Sequence, residues 1–143
     1  MPPQLYNEAI LAEAKARHGH GRLAEPELTV TCDNPLCGDR VTVDLRLAGD
    51  RVGEFGQTTR GCVLTQAAAS LIGRRLAGAP AAELHRAASD LRRMLAGEDA
   101  EPRSWPELAM FTPVRAVSSR HECVLLPFEA VEQALLDGGG TPG

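Results

Sequence analysis

Three cysteines, each in a distinctive local setting, are the residues of this chain best suited to chemistry. Cys37 follows an Asn-Pro-Leu segment and precedes Gly38 and Asp39, Cys62 follows a glycine, and Cys123 lies three residues after an arginine. Each thiol lies beside a turn or the start of a helical pattern. The N-terminus of a helix carries partial positive charge, which favours the thiolate over the thiol. Thiolate is the form that binds metal ions or attacks another sulfur.

Three thiolates and one carboxylate can fill a tetrahedral metal shell. The candidate ligands are Cys37, Asp39, Cys62 and Cys123. A carboxylate is a harder and more exchangeable ligand than a fourth thiolate, which favours a site that releases or exchanges what it holds. Because Cys62 and Cys123 are far apart in the sequence, the ligands would meet only in the folded chain, and binding would also stabilise the fold.

Simple burial is the alternative explanation for each cysteine, because unpaired cysteine is among the most buried residue types. Cys32 fits this explanation, since it continues the apolar face of Leu28 and Val30, and we assign it to the core or to a satellite of the site. Cys37 lies in a turn rich in proline, glycine and aspartate, where burial gains little. On the residues alone, a shared metal site and separately buried thiols are equally open.

Three histidines could extend the site. His121 lies two residues before Cys123 and could approach a metal, but we expect it to point away. A cysteine–histidine enzyme would need these two side chains to be hydrogen-bonded, and residues two apart on a strand diverge. His18 and His20 flank a glycine, and we expect them to lie in a solvated loop rather than in an accessory site.

Alternation of apolar and polar residues predicts a three-stranded antiparallel sheet from residues 28–32, 41–47 and 51–59. Helical spacing predicts helices over residues 5–16 and 63–77, a third from Pro80 to a stop at Gly97, and a closing helix from about residue 124 to 135. The proline-rich residues 98–117 are expected to form a loop with a short helix near 106–111, anchored by Trp105. We expect one domain over residues 1–137 and a flexible tail over 138–143.

Composition limits the classes of partner. The 143 residues are 43% hydrophobic and 24% charged, as in an ordinary globular protein, and the net charge of −4 argues against nucleic acid. The first residues lack the pattern of a signal peptide, and no apolar stretch is long enough for a membrane span. We therefore expect a cytoplasmic protein, where thiols stay reduced and spaced cysteines indicate metal binding or catalysis.

The chain resembles the IscU/SufU family, also known as the N-terminal domain of NifU. The resemblance rests on the Asn-Pro-x-Cys-Gly-Asp-Arg segment around Cys37, on the Gly-Cys pair at Cys62 and on the Arg-x-x-Cys segment at Cys123. It extends from about residue 5 to residue 135. It implies an α+β fold in which four to five helices pack on a small three-stranded antiparallel sheet (SufE/NifU-like).

The resemblance also implies work in iron–sulfur cluster assembly. Members accept persulfide sulfur from a cysteine desulfurase, here a SufS-like one, and act as a scaffold or as a zinc-dependent sulfur relay. If the chain is an enzyme, it would be a sulfurtransferase. Downstream proteins would then receive the cluster. The cofactor would be zinc or a 2Fe–2S cluster, with a purely structural zinc in a binding module as the alternative.

By position in the family, the ligands would be Cys37, Asp39, Cys62 and Cys123, and Cys37 or Cys123 would attack the persulfide. The segment of residues 98–117 resembles the SufU-type insertion, which makes the SufU type the nearest in kind. Arg120 matches a basic position three residues before the last cysteine that could meet the desulfurase.

Overall fold

The computed structural model of the chain describes residues 7–35, 38–98 and 102–138. Cys37 and the tail from residue 139 onward lie outside the described residues. The described elements follow in the order α1 (Glu8–Ala16), β1 (Leu28–Asn34), β2 (Asp39–Ala48), β3 (Arg51–Arg60), α2 (Val63–Leu76), α3 (Ala81–Leu95), a 3₁₀ run (Pro106–Ala116), a short 3₁₀ turn (Ser118–Arg120) and α4 (His121–Asp137).

The sheet is antiparallel throughout, with the strands in the order β1-β2-β3. Its register places Cys32 opposite Val41 and Asn34 opposite Asp39 on the β1 side, and Arg40 opposite Arg60 on the β3 side. The α+β fold class expected from the sequence, a three-stranded antiparallel sheet with helices packed on it, is confirmed. Each strand begins or ends within two residues of its predicted limits.

The core lies between one face of the sheet and the helices. Val41, Val43 and Leu45 of β2 point into it and are at most 1% exposed. On this face α2 contacts β3, and α4 contacts β1 and β2; α1 packs on α2, and α3 packs on α4. The other face of the sheet is polar, which explains the strict alternation along β2. Two of the helices that cover the apolar face, α2 and α4, also begin at the same end of the sheet.

The segment after α3 is more ordered than its proline content predicted. The short helix expected near 106–111 is present but longer, because Pro106–Ala116 forms a continuous 3₁₀ run. Its three buried residues, Leu108, Phe111 and Val114, are spaced by three, which matches the three residues per turn of a 3₁₀ helix. Trp105 is fully buried, and its indole N–H donates to Glu83 Oε1 at 2.6 Å, so it anchors the segment as expected.

Within the described residues, no helix is both long enough and apolar enough to cross a lipid bilayer.

Candidate metal centre

Three of the four candidate ligands come from elements whose termini meet at one end of the sheet. Asp39 is the first residue of β2, Cys62 is the N-cap residue of α2, and Cys123 lies in the first turn of α4. The pairing of Arg40 with Arg60 fixes the relation between the first two, because Arg60 ends β3 two residues before Cys62. Residues far apart in the chain are therefore brought together by the sheet register and by two helix starts.

The ligand atoms of Asp39, Cys62 and Cys123 all lie within 4.8 Å of one another. Zinc–sulfur bonds of about 2.3 Å in a tetrahedron separate ligand atoms by roughly 3.7 Å, so only a small contraction is needed to enclose an ion. Asp39 is 2% exposed and Cys123 is 0% exposed, whereas Cys62 is half-buried. The donor set of soft sulfur and one oxygen fits zinc or iron.

Asp39 is held in place by two hydrogen bonds that do not involve a metal. Its Oδ1 accepts the backbone N–H of Cys62 at 3.1 Å, and its Oδ2 accepts the hydroxyl of Thr65 at 3.2 Å. The side chain of Cys62 makes no capping hydrogen bond, and the carboxylate of Asp39 on β2 instead accepts a hydrogen bond from the N-terminus of α2. The site is therefore preorganised by the protein itself.

Gly61 lets the carboxylate of Asp39 come this close to the start of α2. A Cβ atom at Gly61 would lie less than 3.0 Å from the Oδ1 and Cγ atoms of Asp39 and 3.1 Å from its Cβ atom. Only a residue without a side chain leaves room for the carboxylate. The Gly-Cys pair is thus explained by a close approach between a loop and a candidate ligand, and not by a special backbone angle.

Cys37, the remaining candidate ligand, lies outside the described residues. Among the described residues on either side of it, the Gly38 N–H donates to the Asn34 carbonyl oxygen at 2.8 Å. A cavity of about 390 Å³ opens at this end of the sheet, and its lining consists of Asp33, Asn34, Pro35, Gly38, Asp39, Arg40 and Arg60. Of the three clustered candidate ligands, Asp39 alone is among these lining residues.

The fourth cysteine of the chain, Cys32, packs against the core, as the alternation of β1 predicted. It is not part of the ligand cluster formed by Asp39, Cys62 and Cys123. Burial raises the pKa of the Cys32 thiol, and the negative charges of Glu129 and Asp33 raise it further. A thiol that stays protonated is a poor metal ligand, which favours a packing role.

The histidines are turned away from the cluster. His121 begins α4, and its Nε2 lies 3.1 Å from the carbonyl oxygens of Val114 and Arg115, so it contacts the 3₁₀ run and not the thiol of Cys123. The predicted divergence holds, although the two residues lie on a helix and not on a strand. His18 lies 3.9 Å from Glu13, and His20 contacts the guanidinium of Arg17.

Sequence reasoning missed Thr65. Its side chain is fully buried, and its hydroxyl lies 3.2 Å from Asp39 Oδ2 and 3.5 Å from Cys62 Sγ. A threonine three residues after a helix-starting cysteine was the available signal, because that position faces the first turn of the helix. No local pattern connects this helix position to a carboxylate on strand β2.

Comparison with known proteins places these features in a family. Residues 5–134 match the family model described as the NifU-like N terminal domain. The chain is 26% identical over 131 residues to the iron–sulfur cluster assembly scaffold protein IscU of Thermotoga maritima, which covers 92% of each chain. It is 24% identical over 132 residues to the zinc-dependent sulfurtransferase SufU of Bacillus subtilis, which covers 92% of this chain and 89% of the relative.

Solved structures agree on the architecture. The N-terminal part of a nitrogen-fixing NifU-like protein from Brucella abortus superposes with a TM-score of 0.88 at 35% identity and covers 93% of both chains. A SufU described as a putative scaffold protein for the SUF system of Fervidobacterium islandicum superposes with a TM-score of 0.86 at 24% identity, covering 92% of this chain and 96% of that one. The chain belongs to the NifU-like N-terminal domain family, the family of the iron–sulfur cluster assembly scaffolds IscU and SufU.

Proposed function

We propose that this protein accepts persulfide sulfur from a SufS-like cysteine desulfurase and passes it on, either as a zinc-dependent relay or by assembling a 2Fe–2S cluster for downstream proteins. One observation carries the proposal: Asp39, Cys62 and Cys123 present their ligand atoms within 4.8 Å of one another. A cavity lined in part by Asp39 lies at the same end of the sheet and is consistent with exchange there. A carboxylate among thiolates makes one position easier to vacate.

Sulfur acceptance is a thiol–persulfide exchange. A thiolate of this chain attacks the outer sulfur of the desulfurase persulfide, a new sulfur–sulfur bond forms here, and the desulfurase cysteine leaves as a thiolate. Of the two candidate nucleophiles, Cys123 is 0% exposed, so we assign the first attack to Cys37 and the role of a ligand to Cys123. Asp39 and Cys62 hold their places through the hydrogen bond between them.

Zinc, held by Cys37, Asp39, Cys62 and Cys123, would keep the thiols in the thiolate form at neutral pH. In the scaffold mode, iron and sulfide are the cargo on the same ligands. The half-buried thiol of Cys62 and the buried thiol of Cys123 would form the inner wall of either arrangement.

The test is to incubate the zinc-loaded protein with a SufS-like desulfurase and cysteine, and to follow added sulfur by intact-mass spectrometry. The parent protein should gain sulfur, and Cys37→Ser should gain none. Cys32→Ser is the matched control, because Cys32 lies outside the ligand cluster and should leave the gain unchanged. Equal labelling of Cys37→Ser and the parent would refute the assignment of the acceptor.

The burial of Asp39 and Cys123 also favours a second candidate, a binding module with a purely structural zinc. This candidate predicts stoichiometric zinc, loss of the fold on chelation and no thiol reactivity in the loaded form. Alkylation of the zinc-loaded and stripped proteins separates the two. A loaded protein that reacts quickly at one thiol supports the sulfur relay, while complete protection supports the structural site.

A further inference from the structure

Thr65 contacts two of the candidate ligands and has a single proton to give. Its hydroxyl oxygen lies 3.2 Å from Asp39 Oδ2 and 3.5 Å from Cys62 Sγ. One hydroxyl carries one hydrogen, so it can donate to the carboxylate or to the sulfur, but not to both. The side chain is 0% exposed, so no solvent water substitutes for either interaction.

The two oxygens of Asp39 differ in how they are held. Oδ1 accepts the backbone N–H of Cys62, which is fixed at the start of α2 and lies against Gly61. Oδ2 accepts a hydroxyl that can rotate about its bond to Cβ. Oδ2 is therefore the oxygen that can turn to a metal while Oδ1 keeps its hydrogen bond.

We propose that Thr65 is a positioning residue whose hydroxyl donates a hydrogen bond to the Asp39 carboxylate when that carboxylate is not bound to the metal. Thr65 thereby sets how readily Asp39 detaches from the metal. This inference rests on the proposed metal site. With Oδ2 not bound to an ion, it would keep the hydrogen bond from the Thr65 hydroxyl that the structure shows. With Oδ2 bound to an ion, the same hydroxyl would donate to Cys62 Sγ instead. A buried carboxylate oxygen without a donor is costly, so removing the hydroxyl penalises the open state more than the closed one.

The experiment measures how fast zinc passes from the loaded protein to an excess of the chromogenic chelator 4-(2-pyridylazo)resorcinol. Thr65→Val replaces the hydroxyl with a methyl group of similar size and should slow the transfer about tenfold. Thr65→Ser keeps a hydroxyl and should restore the parent rate. Thr65→Ala also lacks the hydroxyl and should be slow, which keeps the test available if the valine variant does not fold.

Two controls separate positioning from general packing. Thr42→Val removes a hydroxyl from the polar face of the sheet, where its partner is Thr31, and should leave the rate unchanged. In an Asp39→Ala background the carboxylate is gone, so adding Thr65→Val should have no further effect on the rate. A packing defect would persist in that background, whereas a role exerted through Asp39 would disappear.

An unchanged or faster release from Thr65→Val would overturn the inference, because the hydroxyl would then not stabilise the open state. A change that persists in the Asp39→Ala background would overturn it as well. Failure of the proposed function looks different: the parent protein would then gain no sulfur mass from the desulfurase and cysteine, whatever its rate of zinc release.

Discussion

The backbone N–H of Cys62 donates a hydrogen bond of 3.1 Å to Oδ1 of Asp39. Two ligands of the proposed metal centre are thereby joined to each other through protein atoms alone. The bond also supplies an acceptor for the N-terminus of α2, whose own N-cap side chain makes no capping hydrogen bond. The first residue of β2 and the first turn of α2 consequently depend on one another.

Gly61→Ala tests this dependence. The added methyl group would overlap the carboxylate of Asp39, and the clash must displace either the ligand or the start of α2. We expect at least a tenfold loss of zinc affinity and a loss of about 1–3 kcal/mol in the free energy of unfolding. A competition titration with a zinc chelator and urea denaturation provide the two measurements.

The matched control for Gly61→Ala is Gly53→Ala on β3, the strand that Gly61 follows. A Cβ atom at Gly53 would meet the carbonyl oxygen of Arg46 at 3.3 Å, which requires only a small adjustment, and it touches no ligand. Zinc affinity should survive in this variant. If both variants bind zinc like the parent, Gly61 has no role in placing Asp39.

Exchanging single cysteines distinguishes ligands from packing residues. Cys123→Ser should abolish stoichiometric zinc binding, because a serine hydroxyl is a poor zinc ligand at neutral pH. Cys32→Ser should keep one zinc per chain and lose about 1 kcal/mol of stability, since it places a hydroxyl in a partly buried position against the core. Elemental analysis of purified variants measures the metal, and retention of zinc by Cys123→Ser would exclude that residue as a ligand.

The buried carboxylate of Asp44 predicts loss of stability in acid. Burial alone would raise its pKa, but hydrogen bonds from Arg22, Thr29 and the N–H of Leu23 outweigh burial and hold the pKa below its ordinary value. The pKa of an aspartate in an unfolded chain is about 3.9. Because the folded pKa is lower, the stabilisation is complete above about pH 5 and is lost as the pH falls through the folded pKa.

Asp44→Asn should therefore flatten the fall in stability between about pH 5 and pH 3, while lowering stability at neutral pH by about 2 kcal/mol. Urea midpoints measured across this range provide the test. Asp50→Asn, at the exposed turn between β2 and β3, is the control and should follow the parent curve. An Asp44→Asn curve parallel to that of the parent would contradict the assigned cause.

Glu129 on α4 predicts the opposite dependence. Burial raises its pKa, the nearby Glu122 raises it further, and Arg92 compensates only in part. Because the pKa of Glu129 is raised in the folded state, its stabilising contribution is complete below the unfolded pKa of about 4.3. This contribution is lost as the pH rises through the folded pKa. Ionised Glu129 is therefore unfavourable at neutral pH.

Glu129→Gln should raise the midpoint of thermal unfolding by about 2 °C at pH ~7.5 and leave it unchanged at pH ~4, which corresponds to roughly 0.5 kcal/mol after screening by solvent. Glu132→Gln is the informative counterpart, because Glu132 accepts from Arg92 at 2.5 Å and its loss should lower the midpoint at pH ~7.5. A destabilised Glu129→Gln at neutral pH would be the contrary result.

Much of this fold was accessible from the sequence because its signals are local. The alternation from Val41 to Leu47 predicted a strand with one buried face, and β2 has that face. The helical spacing of Leu84 and Leu91 likewise predicted α3, which is buried along that side. Such patterns report which side of an element is buried, and burial dominates the stability of a small domain.

Contacts between distant residues were not accessible in the same way. The sequence could nominate Asp39, Cys62 and Cys123, but the hydrogen bonds of Asp39 depend on register and on the angle at which α2 leaves the sheet. The same reason explains why the helical stretch that begins at Pro106 was predicted too short. The three prolines of residues 98–117 indicated a loop beyond a short helix, whereas tertiary packing of residues spaced by three extends the 3₁₀ run to Ala116.

The single tryptophan of the chain offers an optical probe without any labelling. Trp105 is wholly shielded from solvent, and its ring centroid lies 5.9 Å from that of Phe128 on α4, the helix whose first turn carries Cys123. Its emission reports on a known place, with no competing indole. A shift of the emission to longer wavelength during sulfur transfer would mean that α4 moves relative to its neighbours. Constant emission would mean that α4 keeps its position during the transfer.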